Sequence, residues 1–141
     1  MRVVHVVPAG FGRDGILGGA ERYALELARH MARRTPTTLV TFGKAAGERR
    51  EGELVVRTLG PARYVRRQRS NPIALGLFRE IARADVVHCH QTHVAASSLA
   101  AIVCRVAGRR VFTTDLGGGG WDVSAYVSTD RWFHGHLHLG A

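Results

Sequence analysis

Three groups of residues in this 141-residue chain carry chemistry by their type and spacing. The first is Gly18-Gly19-Ala20-Glu21-Arg22, which closes a glycine-rich loop and opens an amphipathic helix. Glycines at 10, 12, 15, 18 and 19 let the loop backbone take positive φ values and approach a ligand closely. A helix start beyond such a loop presents unpaired N–H groups and a partial positive charge, the arrangement that handles phosphate. Glu21 favours the same dipole and is placed to cap the loop, while Arg22 is placed to reach a phosphate or an acceptor anion. The second group is His88, His90 and His93. His-x-His can face one way on a strand and ligate a metal, but no carboxylate joins these residues locally. No metal is therefore expected; His90 and His93 are read as hydrogen-bonding partners for substrate hydroxyls, and His88 as a packed strand-end residue. The third is Asp115, followed by four consecutive glycines and Trp121. A carboxylate there either accepts two hydroxyl bonds in fixed orientation or caps the backbone N–H groups of the glycine run. Gly117 and Gly118 would let backbone approach a ligand closely, and Trp121 either stacks on a flat ligand face or packs in the core.

These groups need strands to hold them. Arg2 to Val7 is a near-continuous apolar run, as in a parallel strand buried on both faces. Ala20 to Arg33 is a helix whose apolar stripe is Ala20, Tyr23, Ala24, Leu27, Ala28 and Met31. Thr37–Phe42 and Glu53–Leu59 read as strands, with a polar, flexible stretch from Gly43 to Gly52 between them. Asn71-Pro72 opens a second helix through Arg83, with proline in the first turn. Asp85–His88 is a short strand, Val94–Ala107 an alanine-rich helix stopped by Gly108, and Arg110–Thr114 another strand. A helical stretch at Ser124–Phe133 and a strand at His136–Leu139 complete the pattern. Alternating strands and helices predict a doubly wound parallel sheet in the order 3-2-1-4-5, which binds ligands at the carboxyl ends of its strands.

The length fits one domain, 1–141, and 45% apolar with 22% charged residues fits a globular core. No run reaches the about 18 apolar residues of a membrane span, and Met1-Arg2-Val3 leads straight into a strand rather than a signal peptide, so a cytoplasmic location is expected. Cys89 and Cys104 form neither a Cys-x-x-Cys pair nor a disulfide framework and are read as small buried apolar residues. The formal charge of +9 comes from arginine, since Lys44 is the only lysine. Arg63, Arg66, Arg67 and Arg69 crowd around Tyr64 and Val65. No nucleic-acid motif accompanies them; an acidic membrane surface or an anionic acceptor fits, as does a solvated loop.

The long loop with its glycine pair at the helix end is not the compact dinucleotide fingerprint, and Phe42-Gly43-Lys44 lacks the acid that an oxidoreductase domain would place after its second strand. It resembles instead the N-terminal domain of glycosyltransferases of family 4. Asp85-Val86-Val87-His88-Cys89-His90 is similar to a second family pattern, and the polar residue at the mouth of the fifth strand to a third. The resemblance implies a Rossmann-like domain forming one half of a two-Rossmann (GT-B) architecture. It further implies a retaining transfer from a nucleotide diphosphate sugar to a hydroxyl acceptor, glycan or lipid-linked, in glycan biosynthesis. Asp115 would be the catalytic side chain, with Gly18, Gly19, Arg22, His90, His93, Gly117 and Gly118 binding substrate. The family implies no metal or other cofactor. It also implies a C-terminal donor-binding domain that these 141 residues do not contain, so the domain alone is expected to be inactive. Peripheral attachment to the inner face of a membrane is expected through the four arginines. The competing expectation is a noncatalytic basic module that binds nucleotides or anionic surfaces.

Overall fold

A computed structural model describes residues 1–8, 18–68 and 70–115. Among these residues eight strands and three α-helices follow one another as β1 (Val3–Val6), α1 (Gly19–Ala32), β2 (Thr37–Phe42), β3 (Gly47–Glu51), β4 (Leu54–Leu59), β5 (Arg63–Tyr64), β6 (Pro72–Ile73), α2 (Gly76–Ala82), β7 (Val86–His90), α3 (Ala95–Val106) and β8 (Arg110–Thr114), with a short 3-10 turn at Val65–Arg67. Six strands form one sheet in the order β3-β4-β2-β1-β7-β8. All of its pairings are parallel except β3 with β4. Leaving β3 aside, the parallel strands occur in the expected 3-2-1-4-5 order.

The sheet is buried on both faces, which is why β1 reads as an unbroken run. On one face Val7, Leu39, Leu54 and Val56 pack against Ala24, Leu25, Ala28 and Ala32 of α1. On the other, Val4, Val6, Val40, Val87 and Cys89 pack against Leu77 and Ile81 of α2 and Ala96, Ala100 and Cys104 of α3. This is a Rossmann-like doubly wound α/β fold. Both cysteines are free and buried, and burial pushes the Cys89 thiol up to about 12, so it packs as an apolar group. Among the described residues no helix is long and apolar enough to cross a membrane.

Three local expectations are corrected. The buried stripe of α1 runs through Glu21, Ala24, Leu25, Ala28 and Ala32, leaving Tyr23 half exposed; Leu25 rather than Leu27 faces the sheet. The stretch from Gly43 to Gly52 contains an antiparallel edge strand, β3, and not a flexible connection. Its polarity reflects its position. The turn to β4 passes through Gly52 at φ +61, a value that suits glycine. Charges then hold the strand from both sides of the sheet: Arg57 Nη1 donates to both carboxylate oxygens of the buried Glu80 at 2.7 Å while its Nε donates to Glu48 at 3.0 Å. Arg29 of α1 donates to Glu51 at 2.6 and 3.0 Å. Charged, exposed side chains also keep such an edge from pairing with other chains.

The third correction concerns the second helix, which begins at Gly76 rather than Asn71. Pro72 and Ile73 pair instead with Tyr64 and Arg63 as a two-stranded ribbon. The Asn71 side chain is used elsewhere: its Oδ1 accepts from the Ala95 N–H at 2.6 Å. α3 starts at Val94, a residue that cannot cap, so Asn71 supplies the missing acceptor from 24 positions away. The helix and strand expected at Ser124–Phe133 and His136–Leu139 lie outside the described residues.

Asn71→Ala is expected to lower stability by about 1 kcal/mol, the usual cost of losing a helix cap. Urea unfolding followed by circular dichroism checks it, and Asn71→Asp, which keeps the acceptor, should lose little of that amount.

Candidate functional site

Because β4, β2, β1, β7 and β8 run in parallel, the chain leaves each of them at the same edge of the sheet. From β1 it passes through Val7, whose N–H donates to Val40 O at 2.9 Å, and Pro8. It returns at Gly18, the N-cap of α1. The Gly18 N–H donates to Glu21 Oε2 at 2.8 Å, so the buried Glu21 holds the loop end against the first turn. A Cβ at Gly18 would lie 2.6 Å from that carboxylate oxygen, whereas one at Gly19 would meet nothing within 4 Å among the described residues. Gly19 and Arg22 are exposed on the opening turn.

Beyond β7, Gln91 takes φ +86, a left-handed value that residues with a side chain seldom adopt. Its N–H donates to Thr114 O at 2.8 Å, tying the mouth of β7 to that of β8. The chain then turns so that His93 Nε2 lies 3.9 Å from Asp115 Oδ2. His93 is largely buried and Asp115 about half exposed. Two residues singled out from separate loops thus meet at one strand mouth. Gly117, Gly118 and Trp121 lie outside the described residues.

His90 is not at the surface. It is the last residue of β7, 1% exposed, and lies on the face covered by α1, its ring edge-on to Tyr23 at 6.4 Å. Its neighbour is His5 of β1, a residue that sequence reasoning passed over. His5 and His88 are directly opposite one another in the β1–β7 register, and His90 follows two residues on, so all three imidazoles share one face. His5 Nδ1 and His90 Nε2 are 2.9 Å apart and share a hydrogen bond. His88 Nε2 is 2.7 Å from Thr114 Oγ1, and the His88 and His90 rings are 4.3 Å apart. His5 Nε2 and His90 Nδ1 are buried without a hydrogen-bond partner among the described residues. The signal for His5 was available: a polar ring in a strand otherwise made of valines has to find a polar partner inside the core.

Burial dominates the titration of this cluster. It pushes His5 down to about 4, with the neighbouring His88 adding to the effect. It pushes His90 down to about 3, helped by His88 and His5, and it also lowers His88. All three rings are therefore neutral near pH 7.

The arginine segment leaves β4 at the same edge of the sheet. Arg63, Arg66 and Arg67 are all exposed, and Arg66 and Arg67 both take left-handed φ values, 53 and 58. The Asn71 bond to Ala95 fastens this segment to the start of α3, just past the His93 loop. Arg69 lies outside the described residues.

A doubly wound sheet with helices on both faces defines a Rossmann-like domain, a fold in which ligands bind outside the carboxyl ends of the strands. Comparison with known families is more specific. Residues 17–135 match the family model for Glycosyltransferase Family 4, and the chain belongs to that family. No curated protein matches it closely enough to count as a relative.

The neutral histidines make stability depend on pH. Below 6.5 the unfolded chain takes up protons that the native cluster refuses, so stability is complete above that value and is lost as the pH falls toward 4. His5 alone is expected to account for about 3 kcal/mol of loss at pH 4. Urea midpoints measured from pH 7 to pH 4 with a chelator present should fall, and less steeply for His5→Gln; a level wild-type profile would contradict the arrangement.

Proposed function

We propose that this domain is the acceptor-side half of a retaining glycosyltransferase that moves a sugar from a nucleotide diphosphate sugar to a hydroxyl of a glycan or lipid-linked acceptor. The observation that carries this reading is the meeting of His93 and Asp115 at 3.9 Å, on the sheet edge that also holds the N-terminus of α1, in a chain of this family. In the transfer the sugar's anomeric carbon loses its bond to the diphosphate oxygen and gains one to the acceptor oxygen. The acceptor proton leaves with the nucleoside diphosphate. Charge develops on the departing diphosphate and on the oxocarbenium-like sugar, so preorganised donors and a fixed carboxylate serve better than a strong base. Asp115 fits the sugar's hydroxyls and developing positive charge, with His93 orienting it. The N–H groups opening α1, Gly19 and Arg22 fit the phosphates. The donor needs a second domain to clasp it, because one glycine loop offers too few contacts to offset the entropy of immobilising a nucleotide sugar.

Transfer assays with radiolabelled nucleotide sugars test this reading. Residues 1–141 alone should transfer no sugar. In a chain that includes a donor-binding domain, Asp115→Ala should lower turnover at least about 100-fold, as expected for a group acting on transition-state charge. Gly19→Val, whose side chain would meet none of the described residues closely, should lower turnover while leaving the urea midpoint close to wild type. Robust transfer by residues 1–141, or full activity in both variants, would refute it.

A membrane-side acceptor is favoured by the exposure of Arg63, Arg66 and Arg67 at the same edge, and we extend the proposal to anionic lipid contact by these residues together with Arg69. Each contributes about 1 kcal/mol near a charged surface, and salt weakens the contact. Sedimentation should be greater with anionic than with neutral vesicles and fall when all four are replaced by serine. Equal sedimentation with both vesicle types would remove the lipid contact and leave the transfer reading standing.

A further inference from the structure

We propose that His5, His88 and His90 form a binding site for a borderline-soft divalent transition metal ion such as Zn²⁺ or Co²⁺, separate from the His93–Asp115 contact. Among the described residues this is the one cluster that brings a potential ligand atom from each of three residues within 4.8 Å of one another. The rings belong to two neighbouring parallel strands, β1 and β7, which fix their backbone positions on one face of the sheet. A tetrahedral ion bound through imidazole nitrogens needs them about 3.3 Å apart, so the cluster must tighten by rotation of side chains rather than by movement of strands.

Two further observations fit an ion. His5 Nδ1 and His90 Nε2, in rings 0% and 1% exposed, already face one another at 2.9 Å, so two ligand nitrogens stand close enough for one ion to take the place of their shared hydrogen bond. His88 also stands as a metal-ligating imidazole does, with one nitrogen against a hydrogen-bonding oxygen, Thr114 Oγ1 at 2.7 Å, which fixes the ring and leaves the other nitrogen for the ion. The donor set selects the ion: three neutral nitrogens suit Zn²⁺, Co²⁺, Ni²⁺ or Cu²⁺ and not Mg²⁺ or Ca²⁺, which prefer oxygen. With three protein ligands the fourth position falls to water. The sheet register, not proximity in sequence, selects this trio, bringing His5 beside His88 and His90.

Cobalt(II) titration followed by visible absorption and calorimetry tests the site. His134, His136 and His138 are replaced by serine in every protein used, so that their alternation cannot supply the signal. The parent should take up one equivalent of Co²⁺ with the intense visible bands of four-coordinate nitrogen ligation, and Mg²⁺ should produce no response. Where His88→Gln folds, it decides the matter: saturable uptake should disappear. Should that variant fail to fold, Thr114→Val decides instead, with Co²⁺ affinity weakened about tenfold through loss of the oxygen that orients His88. No saturable uptake by the parent, or affinity in the deciding variant equal to the parent's, overturns the proposal.

Discussion

Burial of β1 on both faces governs this domain. The strand lies between β2 and β7 with helices above and below, and its valines at 3, 4, 6 and 7 are all at most 2% exposed. Any polar group carried into that position must be satisfied from the two strands beside it, since water cannot reach it. His5 is such a group, and its nearest polar partner is His90 of β7. The pairing of the two central strands is thus enforced by apolar contact along most of their length and by imidazole contact toward the carboxyl end of β7.

From that centre the polar character increases outward in both directions. Toward β3 the sheet ends in a strand whose residues are nearly all exposed, held by Arg57 and Arg29 reaching from opposite faces. Arg57 serves two carboxylates of different burial, Glu80 inside and Glu48 at the surface. Glu80 retains its position on α2 because the guanidinium meets both of its oxygens, which is the condition under which a buried carboxylate is tolerated. Toward β8 the polar groups gather at strand mouths, with His93 on one segment of the chain and Thr114 and Asp115 on another.

Much of this was legible in the residues. The order of the parallel strands followed from their alternation with helices, and the family from Gly18-Gly19-Ala20-Glu21-Arg22 with the Asp85–His90 pattern. Elements whose formation depends on distant partners were harder to read. β3 has the composition of a loop, because an exposed edge strand buries nothing and is held by ion pairs with residues far along the chain. Asn71-Pro72 carries a true helix-capping signal, but the helix it caps is α3, not the one that follows it. The α1 stripe was misjudged by a fraction of a turn, because Tyr23 with its polar tip tolerates the rim and Glu21 is drawn inward by the Gly18 N–H. At the candidate site, a local scan found His88, His90 and His93 together; the sheet register brings His5 beside the first two and sends His93 to Asp115.

Gln91 sets how the two strand mouths relate. Its left-handed backbone is an unfavourable conformation, held by a main-chain bond to Thr114 that involves no side chain of either loop. The separation between the β7 and β8 exits is therefore written into backbone geometry rather than into the side chains beyond them. Such a mouth works like a fixed socket: a substitution at position 93 or 115 changes one side chain without shifting the frame that carries it, at little cost to the sheet beneath.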